Sequence, residues 1–213
     1  MAQQLNMGTG LFITFEGIDG SGKSTQSEML ASTLSDQGHD IVKTREPGGS
    51  VGAEMIRNLL VSGDTDRWSP ETEILLFTAA RRDHMEKTIQ PALDAGKIVI
   101  CDRYADSTRV YQGVARADLR GTVDKLHDII IQKEPDMTFV IDADPENSLA
   151  RGLARDSGED RFEDFGLEFQ KSLRAGFLAL AKSQNQRCHV IDGMRDRDVI
   201  ANDIANIVSA QLT

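Results

Sequence analysis

Five short apolar runs punctuate the chain, at residues 11–15, 41–43, 98–101, 138–141 and 189–191. Most are rich in Ile, Val or Phe and lack polar alternation, the pattern of parallel strands covered on both faces. Between them apolar residues recur at helical spacing. Met29, Leu30 and Leu34 mark one helix, stopped at Gly38. Met55, Ile56, Leu59 and Leu60 mark another. Ser69-Pro70, a cap with a first-turn proline, opens the run Ile74, Leu75, Phe77, and Asp144-Pro145 repeats that signal. Strand alternating with helix predicts a doubly wound α/β fold, a three-layer α/β/α sandwich around a five-stranded parallel sheet. No internal repeat, low-complexity tract or linker divides the chain. The expectation is a flexible tail over residues 1–10 and a single domain over 11–213. One stretch departs from the pattern: residues 151–164, RGLARDSGEDRFED, are nearly all charged or small. They read either as a solvated helix end and loop or as a mobile lid over a polyanion.

The chain has 213 residues, enough for one domain with a sizeable core. At 39% hydrophobic and 27% charged, it is composed like an ordinary globular domain, which excludes disorder. Lys and Arg number 24 against 34 Asp and Glu, a net charge of −10, which argues against tracking nucleic acid electrostatically. Cys101 and Cys188 are too few for a disulfide framework or a cysteine-rich zinc site. Each sits in an apolar run and reads as a buried thiol of a reducing compartment. No apolar run approaches the roughly 20 residues that span a bilayer. The N-terminus, MAQQLNMGTG, has neither the basic nor the apolar part of a secretory leader. The expectation is a cytoplasmic protein with no membrane or nucleic-acid partner.

The residues Gly17-Ile18-Asp19-Gly20-Ser21-Gly22-Lys23-Ser24, followed by Thr25, fit G-x-x-x-x-G-K-[ST]. The match directly follows the first apolar run and opens the first helical stretch, as its mechanism requires. Glycines let backbone N–H groups turn toward a polyphosphate, and the helix N-terminus adds partial positive charge. Lys23 would reach the β- and γ-phosphates of ATP and the Ser24 hydroxyl would hold Mg²⁺. The third apolar run ends in Asp102-Arg103-Tyr104, where ligands of an open parallel sheet gather. Asp102 is therefore placed to hold Mg²⁺ directly or through water, with Arg103 beside the phosphates. This favours the lid reading of residues 151–164.

Three classes handle phosphate this way. A GTPase switch would need N-K-x-D, which is absent, and the lone D-x-x-G at Asp118–Gly121 is noise. A motor or chaperone-type ATPase would be longer. A small kinase fits best, since water must be excluded when a phosphoryl group goes to another acceptor. Gly17–Ser24, Thr44-Arg-Glu-Pro-Gly-Gly49 and Asp102-Arg-Tyr104, with Ser107 and Tyr111-Gln112 behind them, together resemble thymidylate kinase of the bacterial type. The likeness runs in order from about Leu11 to the C-terminus.

That resemblance implies a P-loop kinase fold and transfer of the ATP γ-phosphoryl to dTMP, with Mg²⁺ as cofactor and a homodimer as the assembly. The alternatives are another P-loop nucleoside-monophosphate kinase or a non-catalytic ATP-binding domain. Carried over residue by residue, Asp19 would meet the dTMP sugar 3′-hydroxyl, while Glu46 and Pro47 would border the monophosphate. Arg57 and Arg103 would hold its phosphate. Phe77 would stack on thymine and Arg81 would meet a thymine edge group. Thr108 and Gln112 would read the polar edge, Tyr111 would crowd the sugar 2′ position, and Ser107 would lie nearby. The P-loop carries no arginine, so the transition-state cation is expected from the lid, from Arg151, Arg155 or Arg161.

Overall fold

In a computed structural model, described over residues 10–64, 66–115, 118–153 and 165–212, every apolar run is a strand. The strands are β1 (Phe12–Glu16), β2 (Ile41–Arg45), β3 (Ile98–Asp102), β4 (Met137–Asp142) and β5 (Cys188–Asp192). They form one parallel sheet in the order β2-β3-β1-β4-β5. Each ladder runs past its apolar stretch and ends on a charged residue: Glu16, Arg45, Asp102, Asp142 and Asp192. Backbone pairing needs no apolar side chain, so the strands continue to the carboxyl edge, where ligands bind such sheets.

Nine helices cover the sheet: α1 (Lys23–Asp36), α2 (Val51–Leu60), α3 (Pro70–His84), α4 (Gln90–Asp94), α5 (Ala105–Val110), α6 (Arg120–Leu126), α7 (Pro145–Leu153), α8 (Leu167–Ser183) and α9 (Arg197–Leu212). That count is of the described residues. Strand side chains alternate between the two faces. Ile13, Phe15, Ile98, Ile100, Phe139 and Ile141 pack with Leu30 and Leu34 of α1 and Ile200, Ile204 and Val208 of α9. On the other face Phe12, Val99 and Cys101 meet Leu93 of α4 and Tyr104, while Val140 meets Val110 of α5 and Leu173 and Phe177 of α8. Ser69 does cap α3, its hydroxyl accepting from the Thr72 N–H, with Pro70 in the first turn. Asp144 likewise accepts from the Asn147 N–H at the start of α7.

Three details differ from expectation. The edge strands β2 and β5 are covered only in part, with Val190 half exposed. Gly10, read from sequence as tail, is buried and its N–H donates to Leu93 O. The apolar spacing of α2 does not face inward throughout: Ala53 and Leu60 are buried, but Val51, Met55 and Leu59 lie on the surface. Cys101 and Cys188 are both buried free thiols. Among the described residues no helix is long and apolar enough to cross a membrane.

Candidate active site

Beyond β1 the chain turns through the loop 17–22 and enters α1 at Lys23. Gly22 is the residue before the helix, with φ 102, a left-handed conformation that side chains resist. Gly20, with φ 74, is required for a steric reason as well: a Cβ there would sit 2.0 Å from Ser148 O of α7. The loop is thus clamped against α7, and from the next turn of that helix Arg151 reaches back to Gly20 O. Lys23 is buried, and its ammonium donates to Ile18 O at 2.7 Å. Burial and the nearby Arg103 pull its pKa down to about 8. Ser24 Oγ donates to Asp102 Oδ2 across the sheet's central crevice.

Arg103 is the hub between the two halves of the site. Its backbone is left-handed, φ 69, an unusual state for a non-glycine residue and one found at functional positions. Its guanidinium donates to Gly17 O at 3.3 Å, Ser107 Oγ at 3.0 Å, Asp19 Oδ1 at 2.5 Å and Tyr111 OH at 3.2 Å. Tyr111 OH in turn donates to Asp19 Oδ2 at 2.8 Å. Burial would raise the Asp19 pKa, but Arg103, Lys23 and the Tyr111 hydroxyl outweigh it and hold it at about 2. The strained turn is secured from beneath by Glu16, fully buried at the end of β1. Its carboxylate accepts from Tyr104 N at 2.8 Å, Ser107 N at 3.2 Å and Ser107 Oγ at 2.6 Å. Burial, and then the charge of Asp106, push the Glu16 pKa up to about 7. Asp106 itself is gripped by Arg109 at 2.8 Å and Arg187 at 2.7 Å, which ties α5 to the approach of β5.

Next to this hub opens a cavity of about 500 Å³. Its floor on one side is Asp19, Gly20, Gly22, Lys23, Ser24 and Thr25. The other side is built by Glu46, Pro47, Arg57, Phe77, Arg81, Arg103, Ser107, Thr108, Tyr111 and Gln112, with Asp102 at the junction and Arg151 at the rim. Arg81, only 3% exposed, donates to Glu46 Oε2 at 2.7 Å and Thr108 Oγ1 at 3.0 Å. Glu46 also meets His84 Nδ1 at 3.1 Å, and Arg57 Nη1 donates to Pro47 O at 2.6 Å. Gln112 Nε2 donates to Glu73 Oε2 at 3.0 Å.

The family model of thymidylate kinase matches residues 15–204. A thymidylate kinase of Ruegeria pomeroyi is 62% identical over 205 residues, 96% of this chain and 97% of that one. That of Dinoroseobacter shibae is 66% identical over 195 residues, 92% of this chain and 94% of that one. A crystal structure of thymidylate kinase from Ehrlichia chaffeensis superposes with a TM-score of 0.76 at 39% identity, covering 94% of this chain and 99% of that one. The chain belongs to the thymidylate kinase family.

For a thymidylate kinase family member, the donor and acceptor candidates should share one space. Every acceptor-side residue expected from sequence borders the cavity. Of the phosphate loop, Gly17, Ile18 and Ser21 do not. Ile18 is packed into the core beside Val110 and Phe177, and Ser21 is buried. Arg155 and Arg161 lie outside the described residues. Sequence reasoning missed Arg45, Val61 and Tyr104 on the cavity wall, and Glu16 and Glu73 behind it. The signal for Glu16 was available: an acid interrupting an apolar run one residue before the loop. Glu73 gave none, since an acid in the first turn of a helix is the commonest of choices.

The residues fit Mg²⁺. Asp102 Oδ1 is buried with no hydrogen-bond partner, beside the Ser24 hydroxyl on Oδ2. Mg²⁺ takes such a carboxylate and hydroxyl together with substrate phosphates and water. Among the described residues no cluster of three His, Cys, Asp or Glu could hold a metal unaided.

Proposed function

We propose that this protein transfers the γ-phosphoryl group of ATP to dTMP, giving dTDP and ADP, and that it does so in the cytoplasm. The observation that carries the reading is one cavity whose lining joins the phosphate-loop residues Gly20, Lys23 and Ser24 to Arg57, Phe77, Arg81 and Gln112, with Arg103 among them. The acceptor is a phosphate with a second pKa near ~6, so at neutral pH it is mostly a dianion already and needs no general base. What the site must do is bring two polyanions together, in line, and offset their repulsion. Lys23 leaves Ile18 O for the β- and γ-phosphates. Arg57 and Arg103 orient the acceptor phosphate, with Arg103 steadied by Asp19 and Tyr111. Phe77 stacks on the base, and Arg81, Thr108 and Gln112 bind its polar edge. Tyr111 and Asp19 define the sugar pocket. Ser24 and Asp102 would hold Mg²⁺, which when bound neutralises phosphate charge. Arg151 adds a cation from the rim.

We assign the homodimer expected of the family to the outer face of α2. Val51, Met55 and Leu59 are spaced four apart and are 84%, 68% and 40% exposed, and Leu75 of the neighbouring α3 is 59% exposed. A monomer seldom leaves so continuous an apolar row uncovered.

The activity is tested by ADP release from ATP and Mg²⁺ with each common nucleoside monophosphate in turn. dTMP should support turnover far above the others. Equal or greater turnover with a purine monophosphate, or none with dTMP, would refute the reading.

A further inference from the structure

Gln112 is 1% exposed and Glu73 is fully buried. Their contact fixes which way the Gln112 amide faces. An ionised carboxylate accepts hydrogen bonds but cannot donate, so Glu73 Oε2 takes the amide NH₂, at 3.0 Å, and turns the amide oxygen away. That oxygen, Gln112 Oε1, is buried without a hydrogen-bond partner, in a residue that borders the cavity. A buried acceptor left unmade is costly, and a ligand donor would satisfy it. Arg81, which can only donate, lines the same cavity and is bonded to Thr108, one helical turn before Gln112. This end of the cavity therefore presents a donor next to an acceptor.

The complementary edge is a carbonyl next to a ring N–H, as in thymine and uracil. Cytosine presents the reverse, an amino donor beside a bare ring nitrogen, and would oppose donor to donor and acceptor to acceptor. We propose that Glu73 is the positioning residue that sets this choice, by locking the Gln112 amide with its oxygen toward the base. The inference rests on the dTMP kinase reading and adds to it a residue that never touches substrate.

The experiment measures kcat/KM for dTMP, dUMP and dCMP in the parent, in Glu73→Gln and in the exchange variant Glu73→Gln/Gln112→Glu. A glutamine at 73 can offer its oxygen or its NH₂, so the amide at 112 is free to turn. The dTMP/dCMP ratio should then fall at least roughly tenfold, the scale on which a mismatched polar edge is rejected. The dTMP/dUMP ratio should stay within about twofold, because both bases carry the same edge, whereas general loosening would move both ratios. The exchange variant keeps an acceptor facing the base and an amide facing it from 73, and should recover the dTMP/dCMP ratio. An unmoved dTMP/dCMP ratio in folded Glu73→Gln, collapse of both ratios together, or an exchange variant that fails to recover would overturn the proposal. If Glu73→Gln does not fold, the exchange variant decides alone: a parent-like ratio supports the lock and a lost ratio overturns it. A parent that turns over no dTMP sinks the proposed activity. A parent selective for dTMP whose ratio ignores position 73 sinks only the lock.

Discussion

Asp19 is a carboxylate set among groups that elsewhere bind phosphate, and its neighbours determine what it contributes. Folding lowers its pKa from 3.8 to about 2, because Arg103, Lys23 and Tyr111 outweigh burial. The ionised form therefore stabilises the fold. That contribution is complete above pH about 4 and is lost as pH falls toward about 2. Asp19→Asn should be less stable than the parent by on the order of 2 kcal/mol at neutral pH, and denaturant melts should show the gap closing between those limits. A gap that does not depend on pH would mean the stabilisation is not ionic. Lys23→Ala is expected to abolish phosphoryl transfer while leaving the melting curve close to the parent's. The loop's course is set by glycines, and Lys23 bonds only one carbonyl of it; near-normal turnover would refute the role. At this scale the sequence pointed to residues that line the cavity, such as Lys23, Asp102 and Arg81. It was silent on residues that act through others. Glu16 works by holding two backbone N–H groups and a hydroxyl, and Glu73 by orienting an amide. The relation of Glu73 to Gln112 leaves no trace in spacing or composition, and that of Glu16 shows only as an acid at the end of an apolar run.

The elements themselves were legible at their centres and obscure at their ends. Five apolar runs announced five strands, yet the residues at or just behind the cavity, Glu16, Arg45 and Asp102, belong to the strand termini where the apolar signal has stopped. Thr108 and Gln112 were correctly read as four apart on one helical run. That run passes from α5 into a π-helical turn, Tyr111–Ala115, which the pattern of side chains does not reveal. Nor could sequence show that α7 is pressed onto the phosphate loop at Gly20. Gly20→Ala tests that contact, since its φ is 74 and its Cβ would collide with Ser148 O. The variant should lose roughly 1–3 kcal/mol of stability, the usual scale for backbone forced into a disfavoured region. Its affinity for ATP should fall as well, because the loop and α7 must separate to admit the methyl group. An unchanged melting temperature would show that the clamp is loose.

At the scale of the molecule, the outer face of α2 is the feature that composition concealed. Met55 and Leu59 were visible as helical apolar positions, but only the packing shows them turned outward. Met55→Glu should convert a two-chain species into a single chain in sedimentation, with an unchanged far-UV circular dichroism spectrum. A parent that already sediments as one chain would end the assignment of this face. The strand order has a consequence for how the chain is made. β1 is the first strand to leave the ribosome, yet it lies at the centre of the sheet, with Ile13 registered against Ile100 on one side and Met137 on the other. At roughly 5–20 residues per second, several seconds separate the synthesis of β1 from that of its second partner. Until β3 has been added Phe12, Ile13 and Phe15 have no strand to pair with, and until β4 follows one edge of β1 stays open. Nascent chains of this protein therefore emerge with the central strand of the sheet first and its second neighbour well after it, so their yield at elevated temperature depends on whatever shields β1 until residue 142 has been added.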